Sequence, residues 1–285
     1  MKSSENYRIV RLANGVYSVH SLRHAETFHP VIGPVAEAQA LYVEQLGLRE
    51  RFRADASGFV IWDVGLGAAA NAITVLRGLA EQPGSVQLVS FDHTLEPLRF
   101  AMENAGLLGY LGGIERPLEE LLLQRATRMF LGKIEVNWRI ELGDFPTFLA
   151  GPGAQDLPKP HAILFDAYSP AKNPSMWTQP LFSRLFQLLA PGRPCALPTY
   201  SRSTMLRVTL LLAGFYVGSG HATGEKEETT MAANTLDLIR EPLDRKWLQR
   251  ARRSTSAEPL AGPRYRQARL SAGTWERLQR HPQFD

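Results

Sequence analysis

Trp62-Asp63-Val64-Gly65-Leu66-Gly67-Ala68-Ala69-Ala70-Asn71 is the stretch that decides the fold. The run leading into it, Gly58 to Val64, is nearly all apolar, as a strand buried on both faces is. The residues after it, Ala69 to Ala80, carry apolar side chains at helical spacing. Between them, Gly65 and Gly67 supply the small residues that a tight strand-to-helix turn needs where the backbone approaches a ligand. The turn is not built for a pyrophosphate: Ala70 stands where a third glycine is expected, and a carboxylate, Asp63, precedes the first glycine. Asp63 disfavours an anion there and suits a cation such as the α-amino group of S-adenosylmethionine, reached directly or through water.

Working outward, Val86 to Asp92, Val136 to Leu142, Ala162 to Asp166, Pro194 to Tyr200 and Phe215 to Gly218 read as further strands. Leu95 to Ala105, Gln179 to Leu189 and Ser203 to Leu212 read as helices between them. Such alternation predicts an α/β fold with a doubly wound, mostly parallel sheet and ligands beyond the carboxyl ends of its strands. Thr229 to Arg240, soon after Phe215 to Gly218, is expected to add an antiparallel edge strand. Gly106 to Lys133, with a helical stretch from Pro117 to Phe130, interrupts the alternation and is read as packed insertion rather than lid. The expected division is an N-terminal extension over 1–50, a catalytic domain over 51–240 and a basic tail over 241–285.

Three more acids fall at strand ends. Asp92 closes Leu88-Val89-Ser90-Phe91-Asp92, where a carboxylate can accept from both hydroxyls of a ribose. That device serves nucleosides in general and does not separate methyl transfer from hydride transfer. Asp144, in Glu141-Leu142-Gly143-Asp144, is read either as an acceptor for an adenine amino group or as the cap of the helix that follows. Asp166 opens Asp166-Ala167-Tyr168-Ser169-Pro170-Ala171-Lys172-Asn173-Pro174-Ser175-Met176-Trp177. Pro170 and Pro174 stiffen this loop, and Tyr168 and Trp177 offer aromatic faces for a planar base; the alternative for Trp177 is a core plug.

Composition narrows the classes. Over 285 residues, 44% hydrophobic and 21% charged residues give a globular balance that rules out disorder throughout. Cys195 is the only cysteine, which excludes an internal disulfide or a cysteine metal cluster and fits a cytoplasmic setting. Met1 to Tyr7 lacks the apolar core of a signal peptide, and no apolar run is long enough to span a bilayer, so a soluble protein with no membrane partner is expected. The net charge of +4 permits an anionic partner, and the basic residues from Arg240 to Arg269 read either as RNA contacts or as a solvated tail.

The loop from Asp166 to Trp177, D-A-Y-S-P-A-K-N-P-S-M-W, resembles the D-G-F-A-P-x-x-N-P-x-M-W motif of the MnmC methyltransferase-domain family. The likeness extends to the glycine turn with Asn71, Ser90-Phe91-Asp92, Gly143-Asp144 and the stretch from Pro191 to Phe215, and covers most of residues 20–240. It implies a class I, Rossmann-like methyltransferase that uses S-adenosylmethionine, without metal or flavin, on the 5-aminomethyl group of the wobble (2-thio)uridine of tRNA. Donor contacts then map onto Asp63, Gly65, Gly67, Asn71, Asp92, Asp144 and Asp166, with Asp166, Tyr168 and Trp177 as catalytic candidates. The family often has Glu at the positions of Asp63 and Asp92 and Gly at that of Ala69. With no second glycine fingerprint, a stand-alone form is expected, the aminomethyl group being made by separate enzymes upstream. The stretch Gly220 to Met231, with Lys226 and Glu227, matches the family only loosely, while Glu26 and His29 are left between a site and a structural role. Rival readings are a small-molecule N- or O-methyltransferase and a non-catalytic RNA-binding relative; a nicotinamide oxidoreductase is disfavoured by the glycine spacing and Asp63.

Overall fold

The computed structural model describes residues 5–222 and 228–285, so the start of Met1 to Tyr7, together with Lys226 and Glu227, lies outside the described residues. The chain forms two compact units.

The first unit holds the described chain up to Asp144 together with Ala162–Asp166. It begins with a small antiparallel sheet of β1 (Tyr7–Arg11), β2 (Tyr17–Ser21) and β3 (Glu26–Thr27). Its main sheet consists of β4 (Phe59–Val64), β5 (Gly84–Asp92), β6 (Ala126–Leu131), β7 (Ile134–Leu142) and β8 (Ala162–Phe165), in the order β8-β4-β5-β7-β6. All neighbours run parallel except β6 against β7. Every residue of β4 is buried, which explains its nearly continuous apolar sequence. Trp62 packs edge-on against Phe91 at 5.5 Å, and the helix Ala70–Leu79 buries Ile73, Val75, Leu76 and Leu79. Burying each such side chain contributes about 1.5–3 kcal/mol of hydrophobic free energy, which holds the helix against the sheet beside the glycine turn.

The second unit holds Phe145–His161 and the described residues from Ala167 onward. Here β9 (Ala196–Thr199), β10 (Tyr216–Gly220) and β11 (Thr229–Ala233) form antiparallel pairs, β11 lying between β10 and β9. The pairing of β10 with β11 is the antiparallel arrangement expected from the short connection between them. The helices Gln179–Leu188 and Thr204–Ala213 are capped by Thr178 and Ser203, whose hydroxyls accept from Leu181 N–H and Leu206 N–H.

Two sequence expectations are corrected. The helix expected over Pro117 to Phe130 runs only over Glu115–Gln124, and Ala126–Leu131 is β6. Thr127 and Met129 are buried while Arg128 and Phe130 are exposed, a period of two that turns the segment into a strand. Gly132, at φ +58, closes the hairpin to β7, so the insertion widens the sheet. The strand expected to reach Arg240 stops at Ala233. The Asn234 side chain accepts from Cys195 N–H at 2.8 Å and donates to Arg193 C=O at 2.9 Å; the chain then turns through Leu236–Leu238. Among the described residues no helix is long and apolar enough to cross a membrane.

Candidate active site

The four parallel strands of the first unit each present an acid at or just beyond the carboxyl end: Asp63 in β4, Asp92 in β5, Asp144 after β7 and Asp166 after β8. Backbone bonds sew these ends together. Gly65 N–H and Leu66 N–H donate to Phe91 C=O, Gly143 N–H donates to Asp92 C=O at 2.8 Å, and Asp166 N–H donates to Val64 C=O at 3.0 Å.

Asp63 is fully buried. The strand register sets Ser90 beside it, and Ser90 Oγ–H donates to Asp63 Oδ2 at 2.7 Å. Trp138 of β7 donates its indole N–H to Ser90 Oγ at 2.9 Å, so a polar chain crosses three strands to orient one carboxylate. Asp63 Oδ1 has no protein partner. Burial pushes the carboxyl up to about 7, the Ser90 hydrogen bond opposes that rise, and the charges of Asp166 and Asp92 add to it. A buried acceptor left open, on a group that gains by meeting a positive charge, fits an ammonium.

Asp92 is held differently. Its Oδ2 accepts from Gly67 N–H at 2.9 Å, and its Oδ1 accepts from His93 N–H at 2.7 Å and Thr94 N–H at 3.3 Å. His93 Nδ1 lies 3.1 Å from Oδ1, and that hydrogen bond raises the imidazole above its usual value. Each carboxylate oxygen offers two lone pairs, so Oδ2 retains one for an incoming hydroxyl. Gly67 takes φ +51, and a Cβ there would meet the ring of Phe28 at 3.2 Å, so a side chain at this position would add backbone strain and a tight contact. Ala69 adopts φ 63 and ψ 15, left-handed backbone, with Tyr110 O–H bracing the preceding Ala68 C=O at 2.9 Å. Asp144 is exposed at its strand end.

Around Asp166 the structure assembles residues the sequence brought only partly into view. Asn71, near the start of the glycine-turn helix, donates Nδ2–H to Asp166 Oδ2 at 2.7 Å. Asn71 Oδ1 is buried with no protein partner. His29 Nε2 lies 3.5 Å from the same Asp166 oxygen, and its Nδ1 lies 3.3 Å from Glu37 Oε1. His29 sits just after β3 at φ 48, which turns its imidazole into a carboxylate-imidazole-carboxylate row; its side chain is 8% exposed. Of the two residues left undecided, His29 thus reaches Asp166, whereas Glu26 occupies β3 opposite Ser21. Glu37 was missed, because one acid in a helix of five residues has no periodic signal.

In the second unit, the loop from Ala167 is organised by Trp177. The indole is fully buried, donates Nε1–H to Tyr168 C=O at 2.7 Å, and meets Tyr200 edge-on at 6.1 Å. Tyr200 O–H donates to Ala167 C=O at 3.1 Å. Trp177 is therefore the plug beneath the loop, with no face open to a base, and Tyr168 is the partly exposed aromatic.

The chain is similar to known proteins over most of its length. Residues 115–235 match a family model described as S-adenosyl-L-methionine-dependent methyltransferase. The tRNA 5-methylaminomethyl-2-thiouridine biosynthesis bifunctional protein MnmC of Ralstonia nicotianae is 27% identical over 219 residues, which is 75% of this chain and 32% of that protein. The MnmC protein of Pseudomonas fluorescens is 30% identical over 201 residues, 67% of this chain and 30% of that protein. The chain thus spans about a third of the length of these curated relatives. The crystal structure of MNMC2 from Aquifex aeolicus superposes with a TM-score of 0.70 at 25% identity, covering 90% of this chain and 79% of that one. The chain is an S-adenosyl-L-methionine-dependent methyltransferase of the MnmC type.

Proposed function

We propose that the chain transfers a methyl group from S-adenosylmethionine to the 5-aminomethyl group of the wobble (2-thio)uridine of tRNA, in the cytoplasm. The observation that carries this reading is the row of four strand-end acids, one of them buried with an open oxygen: an anionic edge suited to a cationic donor and an amine acceptor. The names of the relatives, which specify tRNA 5-methylaminomethyl-2-thiouridine biosynthesis, support this choice of acceptor.

Asp63 Oδ1 and Asn71 Oδ1 fit the polar end of the donor, and Asp92 Oδ2 fits a ribose hydroxyl, with Gly65 and Gly67 leaving room for the backbone to approach. Asp144 is assigned to the adenine end. When bound, S-adenosylmethionine supplies an electrophilic methyl on a sulfonium, which departs as the neutral thioether. The chain aligns nitrogen, methyl and sulfur and keeps the nitrogen lone pair free. Asp166, held by Asn71 and His29, accepts a hydrogen bond from the substrate amine and takes the proton that an ammonium must lose before it can attack. His29 and Glu37 position Asp166 and offer that proton a further acceptor. Tyr168 contributes the aromatic surface for the base, and Trp177 holds the loop that carries it. Separate enzymes upstream would supply the aminomethyl group.

The test is transfer of labelled methyl to tRNA carrying 5-aminomethyl-2-thiouridine, followed by mass analysis of the nucleosides. Label in 5-methylaminomethyl-2-thiouridine is the expected result. Donor binding with no transfer to tRNA would overturn the acceptor assignment.

A further inference from the structure

The net positive charge of this chain comes from its end. Residues 240–285 contain eleven Lys and Arg against five Asp and Glu, a net +6, whereas the preceding 239 hold the remaining 21 against 23, a net −2. All eleven basic residues are exposed, and among the described residues only Arg280, with Glu276, is ion-paired. These residues also follow the family match, which ends at 235.

The segment is built rather than trailing. Asp244 caps the helix Arg245–Arg253, whose Trp247, Leu248 and Ala251 are buried, so the basic residues occupy the outer face. Ala257 N–H and Glu258 N–H both donate to Ala268 C=O, at 2.9 and 3.0 Å, and close a loop between them. The Glu258 carboxylate then accepts from Ser271 N–H and Thr274 Oγ–H, each at 2.8 Å, which fixes the start of the helix Ala272–Gln279. At the near side of the loop, Gln179 N–H donates to Leu260 C=O at 2.8 Å. Gln179 lies two residues beyond Trp177, so the basic loop is stitched to the end of the segment that begins with Tyr168. From that stitch the tip Arg264-Tyr265-Arg266 is at most about 14 Å of extended chain away.

We infer that this loop, with the outer face of the helix Arg245–Arg253, docks the phosphate backbone of an RNA substrate and leads it to the Tyr168 loop. The chemistry is that of a single-stranded nucleic-acid site: arginines for phosphates around an exposed aromatic, Tyr265, 39% exposed, on which an unpaired base can stack. A lipid surface fits less well, since the apolar face of the helix is already buried and cannot enter a bilayer. The inference rests on the tRNA reading and adds the surface that such a substrate meets.

The experiment measures binding of tRNA carrying 5-aminomethyl-2-thiouridine across a salt series, for the wild type, the triple variant Arg264→Ala, Arg266→Ala, Arg269→Ala, and Tyr265→Ala. Methyl transfer and affinity for S-adenosylhomocysteine are measured alongside. The triple variant is expected to lose roughly 2 to 3 from the slope of log affinity against log salt. Its KM for tRNA should rise about tenfold or more with kcat within about twofold, while affinity for S-adenosylhomocysteine stays unchanged. Tyr265→Ala should weaken tRNA binding at every salt concentration without changing the slope. An unchanged slope and KM in the triple variant, with the wild type methylating tRNA, would overturn the docking surface and leave the function intact. Wild type that binds anionic phospholipid vesicles but no tRNA would overturn it in favour of a membrane. No methyl transfer to tRNA by the wild type at all would remove the function and the inference together.

Discussion

Asp63 and Asp166 stand at the ends of adjacent parallel strands, and their surroundings are opposite. Asp63 is sealed, oriented by one neutral hydroxyl, and keeps an oxygen with no partner. Asp166 is 17% exposed and held on one oxygen by an amide and an imidazole that is itself backed by Glu37. A sealed acid with an open acceptor suits a cation that arrives in one fixed pose. A partly open acid joined to a chain of titratable groups suits an acceptor that must exchange a proton. Under the proposed function, neighbouring positions on one sheet edge divide donor binding from acceptor chemistry.

The sharpest way to break this division is Asp166→Asn. Turnover should fall on the order of 100- to 10,000-fold, the usual contribution of a positioned proton acceptor, as read by single-turnover methyl transfer. Wild-type turnover in that variant would end the assignment. Next is Trp177→Ala, which removes a fully buried indole and its bond to Tyr168; denaturant unfolding should show a loss of about 3–5 kcal/mol. A loss below about 1 kcal/mol would mean the loop is not anchored there.

The pH dependence sharpens the Asp63 side. Because burial raises its carboxyl to about 7, the folded donor-free protein holds a proton that the unfolded chain releases near pH 4. Its contribution to stability therefore falls as pH rises from about 4 to 7 and levels above that. A bound ammonium favours the carboxylate, so donor affinity should strengthen over the upper part of the same window. Asp63→Asn should flatten both trends, measured by thermal unfolding and by donor titration at pH 5 to 8. The smallest effect is expected from Ala69→Gly. The left-handed backbone at Ala69 costs about 1 kcal/mol, partly offset by the entropy that glycine loses on folding. The net gain should be under about 1 kcal/mol with donor affinity unchanged; a destabilised variant would show that the Ala69 methyl packs favourably.

Much of this was legible in the sequence because the parallel strands announce themselves. β4, β5 and β8 are largely apolar runs with Asp63, Asp92 and Asp166 at or next to their carboxyl ends, and the two glycines mark the turn between β4 and its helix. β6 was misread because Met129 and Phe130 extend an apolar helical pattern, and only the alternation of burial shows the strand. Glu37 carried no signal, since its position depends on a tertiary contact through His29 and not on spacing. Trp177 was ambiguous for a related reason: an aromatic after a proline-rich loop can plug or stack, and only the packing against Tyr200 and the bond to Tyr168 decide. The basic end was visible as composition, but its closure by Glu258 and Ala268 was not, because those bonds join residues with no local motif.

The division between the two acids is tested most directly by calorimetric titration of S-adenosylmethionine into Asp63→Asn and Asp166→Asn side by side. Asp63→Asn should weaken donor binding by about tenfold to a hundredfold, the value of a charged hydrogen bond, while Asp166→Asn should bind within about threefold of wild type. Equal affinities in both variants, or a loss confined to Asp166→Asn, would contradict that division.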